Sequence, residues 1–198
     1  MNIILTIVEA AALACCCAAG GWRLLHYFQL ESYQLPGYLR SVRRNARKAL
    51  APGLGVAAAG VLAVVLGLPP VLRAAAPAAM AALMFLQAKK EKLKKPFVVT
   101  ERVRRLIAMH GATAFVVELA ALAVSPVLGF LVPAFEAALI ALAALCAQPI
   151  ERHINQQFVN DAKDRLAKNP DLIKIGITGS YGKTSTKFLL RDILSVKY

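Results

Sequence analysis

The residues best suited to chemistry stand together near the end of the chain: Gly179, Ser180, Tyr181, Gly182, Lys183, Thr184 and Ser185. Gly179 and Gly182 allow a tight turn that brings backbone N–H groups against phosphate oxygens. A helix starting near Lys183 would aim its positive dipole end at the same place. The Lys183 ammonium can reach the β- and γ-phosphates of a nucleoside triphosphate. The Thr184 hydroxyl can ligate a Mg²⁺ that bridges them, with Ser185 and Thr186 as neighbouring alternatives for the metal or for capping. The cofactors implied are ATP and Mg²⁺.

Such a loop must be positioned by a strand before it and a helix after it. Leu172 to Thr178 is short, β-branched and apolar-rich, and predicts a buried strand. Leu189, Leu190, Ile193 and Leu194 recur on one face of a helix. The strict phosphate-loop pattern places glycine at position 177. This chain has Ile177 there and carries its glycine one place earlier, at Gly176.

The run Ile175-Gly176-Ile177-Thr178-Gly179-Ser180-Tyr181-Gly182-Lys183-Thr184-Ser185-Thr186-Lys187 resembles the start of the central ATPase domain of the Mur ligases. That family uses a compact Thr-Gly-x-x-Gly-Lys-Thr/Ser form, which accounts for the departure at Ile177. Within the family, the likeness is to the type that adds D-alanyl-D-alanine to a UDP-muramoyl tripeptide. It covers Asp171 to Tyr198. Ahead of that, the likeness is architectural: some such ligases have several hydrophobic segments before the ATPase domain. The resemblance implies ATP-dependent amide bond formation, in which a carboxylate takes the γ-phosphate and an amine then displaces the acyl phosphate. On this chain it implies that Lys183 holds the β/γ-phosphates, Thr184 the Mg²⁺, and Gly179, Ser180, Tyr181 and Gly182 the loop amides. No further catalytic residue is assigned. One strand–loop–helix cannot enclose a nucleotide, so these 198 residues are expected to be an N-terminal fragment without ligase activity of its own.

The remainder of the chain must hold this loop at a membrane. Of the 198 residues, 58% are hydrophobic and only 18% charged, against about 25% charged in soluble domains. That excludes a disordered chain. Cys15, Cys16 and Cys17 lie in one apolar run and Cys146 in another, without metal-ligand spacing, so they read as small apolar residues and exclude a disulfide scaffold. The apolar runs predict five spans: Ile3 to Gly21, Leu50 to Leu68, Val71 to Ala88, Leu106 to Val124 and Phe130 to Ala147. Pro69-Pro70 breaks the first pair, and Ser125-Pro126 with Gly129 the second. No Lys or Arg precedes the first run, so it does not read as a signal peptide.

The net charge is +13, from 24 Lys/Arg against 11 Asp/Glu. The cations flank apolar segments, which argues for membrane orientation and against a nucleic-acid partner. Trp22 to Ala49 and Lys89 to Arg105 are the basic loops, whereas the turns at Pro69-Pro70 and Pro126 are nearly free of cations. The positive-inside bias then puts both basic loops and everything after Pro149 in the cytoplasm of a cell membrane, and the N-terminus outside. Arg40, Arg43, Arg44 and Arg47 have the spacing of one helix face, suited either to anionic lipid or to a solvated loop.

Glu9, Glu118 and Glu136 fall inside spans at broadly similar depths and are functional suspects for that reason. His26, His110 and His153 read as isolated interfacial or loop residues. The expected fold is therefore mainly α. Residues 1–149 form a helical transmembrane domain, 150–170 a helical cytoplasmic connector ending at Asn169-Pro170-Asp171, and 171–198 the first β-strand–phosphate-loop–helix unit of a Mur ligase central domain. The leading expectation is a membrane-anchored ligase of peptidoglycan precursor synthesis, with membrane lipid, ATP, UDP-muramoyl peptide and D-alanyl-D-alanine as partners. The alternatives are a polyglutamate-type ligase, and a transporter or scaffold with a vestigial glycine loop.

Overall fold

The computed structural model describes residues 3–90, 96–168, 171, 173 and 175–196, with the side chains of 88–90 excepted. The chain divides into two compact units, Met1–His153 and Ile154–Tyr198.

The first unit is a helical bundle. Its elements are α1 (Ile3–Gly20), α2 (Trp22–Leu30), α3 (Leu35–Arg44), α4 (Ala46–Val65), α5 (Pro70–Lys90), α6 (Glu101–Val124), the short α7 (Pro126–Leu131), a 3-10 turn (Val132–Phe135) and the start of α8 (Glu136–Ala167). Among the described residues five helical segments are long and apolar enough to cross a membrane, the number the apolar runs predict. Their outer faces carry large apolar side chains such as Ile4, Val65, Val116 and Val124, all largely exposed. Isolated helices of this kind satisfy their own backbone groups, as a bilayer requires.

The break between α4 and α5 falls where Pro69-Pro70 predicts it. Gly67 takes a left-handed φ of 67°, and the Arg73 guanidinium folds back to donate to the Leu68 carbonyl. α6 starts at a regular cap: the Thr100 hydroxyl accepts from the Val103 amide at 3.3 Å. Small residues let the helices approach closely. A Cβ on Gly60 of α4 would overlap Phe130 of α7, and one on Gly53 would overlap the Pro133 carbonyl.

Two expectations need correction. The fifth span does not run straight from Phe130. Pro126 starts α7, Pro133 lies in the 3-10 turn, and α8 begins only at Glu136. Because α7 and the turn pack on α4, they fold back into the bundle and carry Glu136 inward. The basic residues Arg40 to Arg47 do not share one face, because Asn45 ends α3 and Arg47 belongs to α4. Lys89 to Lys95 of the second basic block lie outside the described side chains.

The basic end of the bundle is tied by side chains. Glu151 of α8 accepts two bonds from Arg105 of α6, at 2.6 and 3.1 Å, and lies 3.4 Å from Arg102. Arg102 stacks over the Tyr33 ring. Gln29 of α2 bonds both the carbonyl and the amide of Val98, fixing the segment before α6. Tyr38 is fully buried and its hydroxyl donates to the Ala137 carbonyl at 3.0 Å. Burial, and secondarily its neighbour Glu136, pushes the Tyr38 phenol above its ordinary range.

The second unit contains the end of α8, which continues unbroken through Pro149 to Ala167, and α9 (Lys183–Leu194). The strand expected over Leu172 to Thr178 is absent among the described residues there, 173 and 175–178. A strand needs a neighbour to receive its backbone hydrogen bonds, and no strand exists among the described residues to provide one. Asn169 and Pro170, expected to form the preceding turn, lie outside the described residues.

Candidate functional site

The glycine loop has the backbone its sequence requires. Gly179 has φ of 147° and Gly182 has φ of 76°, both in the region that glycine adopts without steric cost. Gly182 is the N-cap of α9 and supplies no side-chain cap. Its carbonyl accepts the Thr186 amide at 2.8 Å and the Thr186 hydroxyl at 3.0 Å. The amides of Lys183, Thr184 and Ser185, in the first turn, have no intrahelical acceptor and point out of the helix start. The Lys183 ammonium bends back over the loop to the Gly179 carbonyl. One small region therefore holds the loop glycines, first-turn amides and an ammonium. Donors of this kind suit a phosphate group.

Ser180, Tyr181, Thr184 and Ser185 are all exposed, Tyr181 at 96%. No residue of α9 is buried, and Phe188, Leu189 and Ile193 present apolar surface with Ile173 and Ile175 also uncovered. Thr184, the expected metal ligand, is exposed at the helix start. Among the described residues no group of three or more His, Cys, Asp or Glu is arranged to hold a metal ion.

The bundle holds a second polar constellation, which the sequence shows only in part. His110 and Glu118 of α6 are completely buried, and Glu136 of α8 and Cys17 of α1 are 4% and 2% exposed. The His110 Nε2 lies 2.8 Å from Glu136 Oε1, a close charge contact in which the ring N–H is not aligned on the oxygen. The Cys17 thiol donates to Glu118 Oε1 at 3.7 Å and has Glu136 as its other acidic neighbour. Among the described residues, Glu118 Oε2, Glu136 Oε2 and His110 Nδ1 have no hydrogen-bond partner.

The three intramembrane carboxylates are not at one depth. Cys17, beside Glu118, is one helical turn from Gly21, which faces Glu136. Glu9 is about 12 Å further along α1 at 1.5 Å per residue. It lines a cavity of about 210 Å³ with Arg73, Thr6, Leu122 and the prolines of the two cation-poor turns, Pro70 and Pro126. His110 is likewise no interfacial residue. The signal for it was its spacing: His110, Ala114 and Glu118 recur every four residues and are buried together on one face of α6. The pairing with Cys17 had no signal in the sequence, because it spans separate helices.

Comparison of the chain with protein-family models, with curated proteins and with solved structures finds no match.

Proposed function

We propose that this chain is the membrane region and the first phosphate-binding unit of a Mur-type, ATP-dependent amide ligase of peptidoglycan precursor synthesis. The single observation that carries the reading is the left-handed Gly182 directly before α9, with Lys183 held over the loop, within the residues that resemble that family. ATP would supply the activating phosphoryl group. Amides from Gly179 through Ser185 would hold its phosphates, Lys183 would neutralise the β- and γ-oxygens, and Thr184 would ligate Mg²⁺. D-alanyl-D-alanine and a UDP-muramoyl peptide are the substrates the resemblance implies. The uncovered apolar face of α9 is what the further layers of an α/β nucleotide domain would cover.

The five apolar helices would anchor this unit in the cell membrane, with the basic segments and the loop on the cytoplasmic side. The test is ligation by the full gene product supplied with ATP, Mg²⁺, UDP-muramoyl tripeptide and D-alanyl-D-alanine. Product formation that depends on Lys183 supports the reading. Product with glutamate acceptors instead would favour the polyglutamate type, and no turnover with either would favour a scaffold.

A further inference from the structure

We propose that Cys17, His110, Glu118 and Glu136 form a proton-binding site inside the helical bundle. The inference stands independently of the ligase reading.

Charge balance is the first argument. A carboxylate buried among apolar helices needs a cation or a proton. Among the described residues the one ion pair made by Glu118 or Glu136 is that of Glu136 with His110. Even a charged imidazole there would neutralise only one carboxylate. The thiol adds no positive charge, because it is a neutral donor to Glu118 Oε1. The second carboxyl therefore holds a proton. Among the described residues Glu118 Oε2 and Glu136 Oε2 are both buried without a hydrogen-bond partner, and the proton resides on this carboxyl pair.

Packing is the second argument, because each helix around the site makes room for it or contributes to it. α1 brings Cys17 and α6 brings His110 and Glu118. α8 brings Glu136, and α3 brings Tyr38, whose hydroxyl is already bonded to the Ala137 carbonyl. α4 faces Glu136 with Gly53, which has no side chain. Gly21 sits where a Cβ would overlap Glu136 Oε1, yet its φ of −73° is open to any residue. Glycine at 21 thus leaves space for the carboxyl group and serves no backbone need.

Infrared difference spectroscopy of the whole chain in lipid nanodiscs tests this. The wild type is expected to show a protonated-carboxyl C=O band that fades as pH rises and shifts on exchange into D₂O. Glu118→Gln should lose the band. If that variant fails to fold, Glu118→Asp should keep a band with a displaced frequency and midpoint. Glu9→Gln, outside the site, should retain the band. A wild type without a titrating carboxyl band, or a band unchanged in both Glu118→Gln and Glu136→Gln, would overturn the site.

Discussion

Glu136 packs its carboxylate against Gly21 so closely that no Cβ fits between them. The relationship joins the start of α8 to the junction of α1 and α2, and it exists because α7 and the 3-10 turn fold back along α4. Gly21→Ala is therefore expected to destabilise the bundle. The side chain would press on Glu136 Oε1 and approach the Cys17 carbonyl, so relief by rotating one flexible group is incomplete. The expected cost is about 1–3 kcal/mol, the usual range for overpacking. Thermal unfolding in detergent should show it, and Gly20→Ala, which meets nothing within 4 Å, should be close to neutral.

The contact of Gly60 with Phe130 gives a coupled pair. Gly60→Ala should lower stability by overlap with the ring, and Phe130→Ala should lower it by about 3–5 kcal/mol through a cavity. The double variant should lose less than the sum, because the alanine methyl occupies space the ring vacates. A double-mutant cycle measures the coupling directly. Strict additivity would contradict the packing of α7 on α4.

Tyr38 makes stability depend on alkaline pH. Its phenol is held above its ordinary value of 10.0 in the folded chain. The folded state therefore keeps its proton at pH values where the unfolded chain releases it, and stability falls as pH rises above about 10. Below that value the group contributes no slope. Tyr38→Phe should remove its share of this alkaline decline while losing about 1 kcal/mol at neutral pH with the bond to Ala137. Denaturation midpoints across pH 8 to about 11 check both parts.

Much of the bundle is legible because membrane helices announce themselves by length and apolarity alone. The proline pair Pro69-Pro70 marked the first hairpin for a local chemical reason. The break at Ser125-Pro126 is legible in the same way, but the short helix that Pro126 opens is not, since nothing local distinguishes a plain turn from a helix that folds back onto α4. The glycine loop was legible at Gly179 and Gly182, where backbone conformation demands the residue type. The strand before it was not, because Ile173 and Ile175 have strand character but a strand forms only against a partner. The buried group around His110 escaped for the same reason: Cys17 and Glu118 are 101 positions apart in the chain.

Topology gives a further prediction. Single cysteines placed at Arg43 and Lys187, in a Cys15, Cys16, Cys17 and Cys146 replaced background, should react with impermeant maleimide only from the cytoplasmic side. Cysteines at Leu68 and Leu128 should react only from the outside. Labelling of position 187 from the outside would contradict the orientation that the basic segments imply.

The central claim is that Gly179 to Ser185 cradle the phosphates of ATP for amide ligation. Its most direct test compares the full gene product with its Lys183→Ala variant in ATP-dependent joining of D-alanyl-D-alanine to UDP-muramoyl tripeptide, with membrane insertion checked in both. The account predicts turnover in the wild type and loss of at least about 10²-fold in the variant, as expected for removing a charge that stabilises phosphoryl transfer. Equal turnover in the two proteins would contradict it.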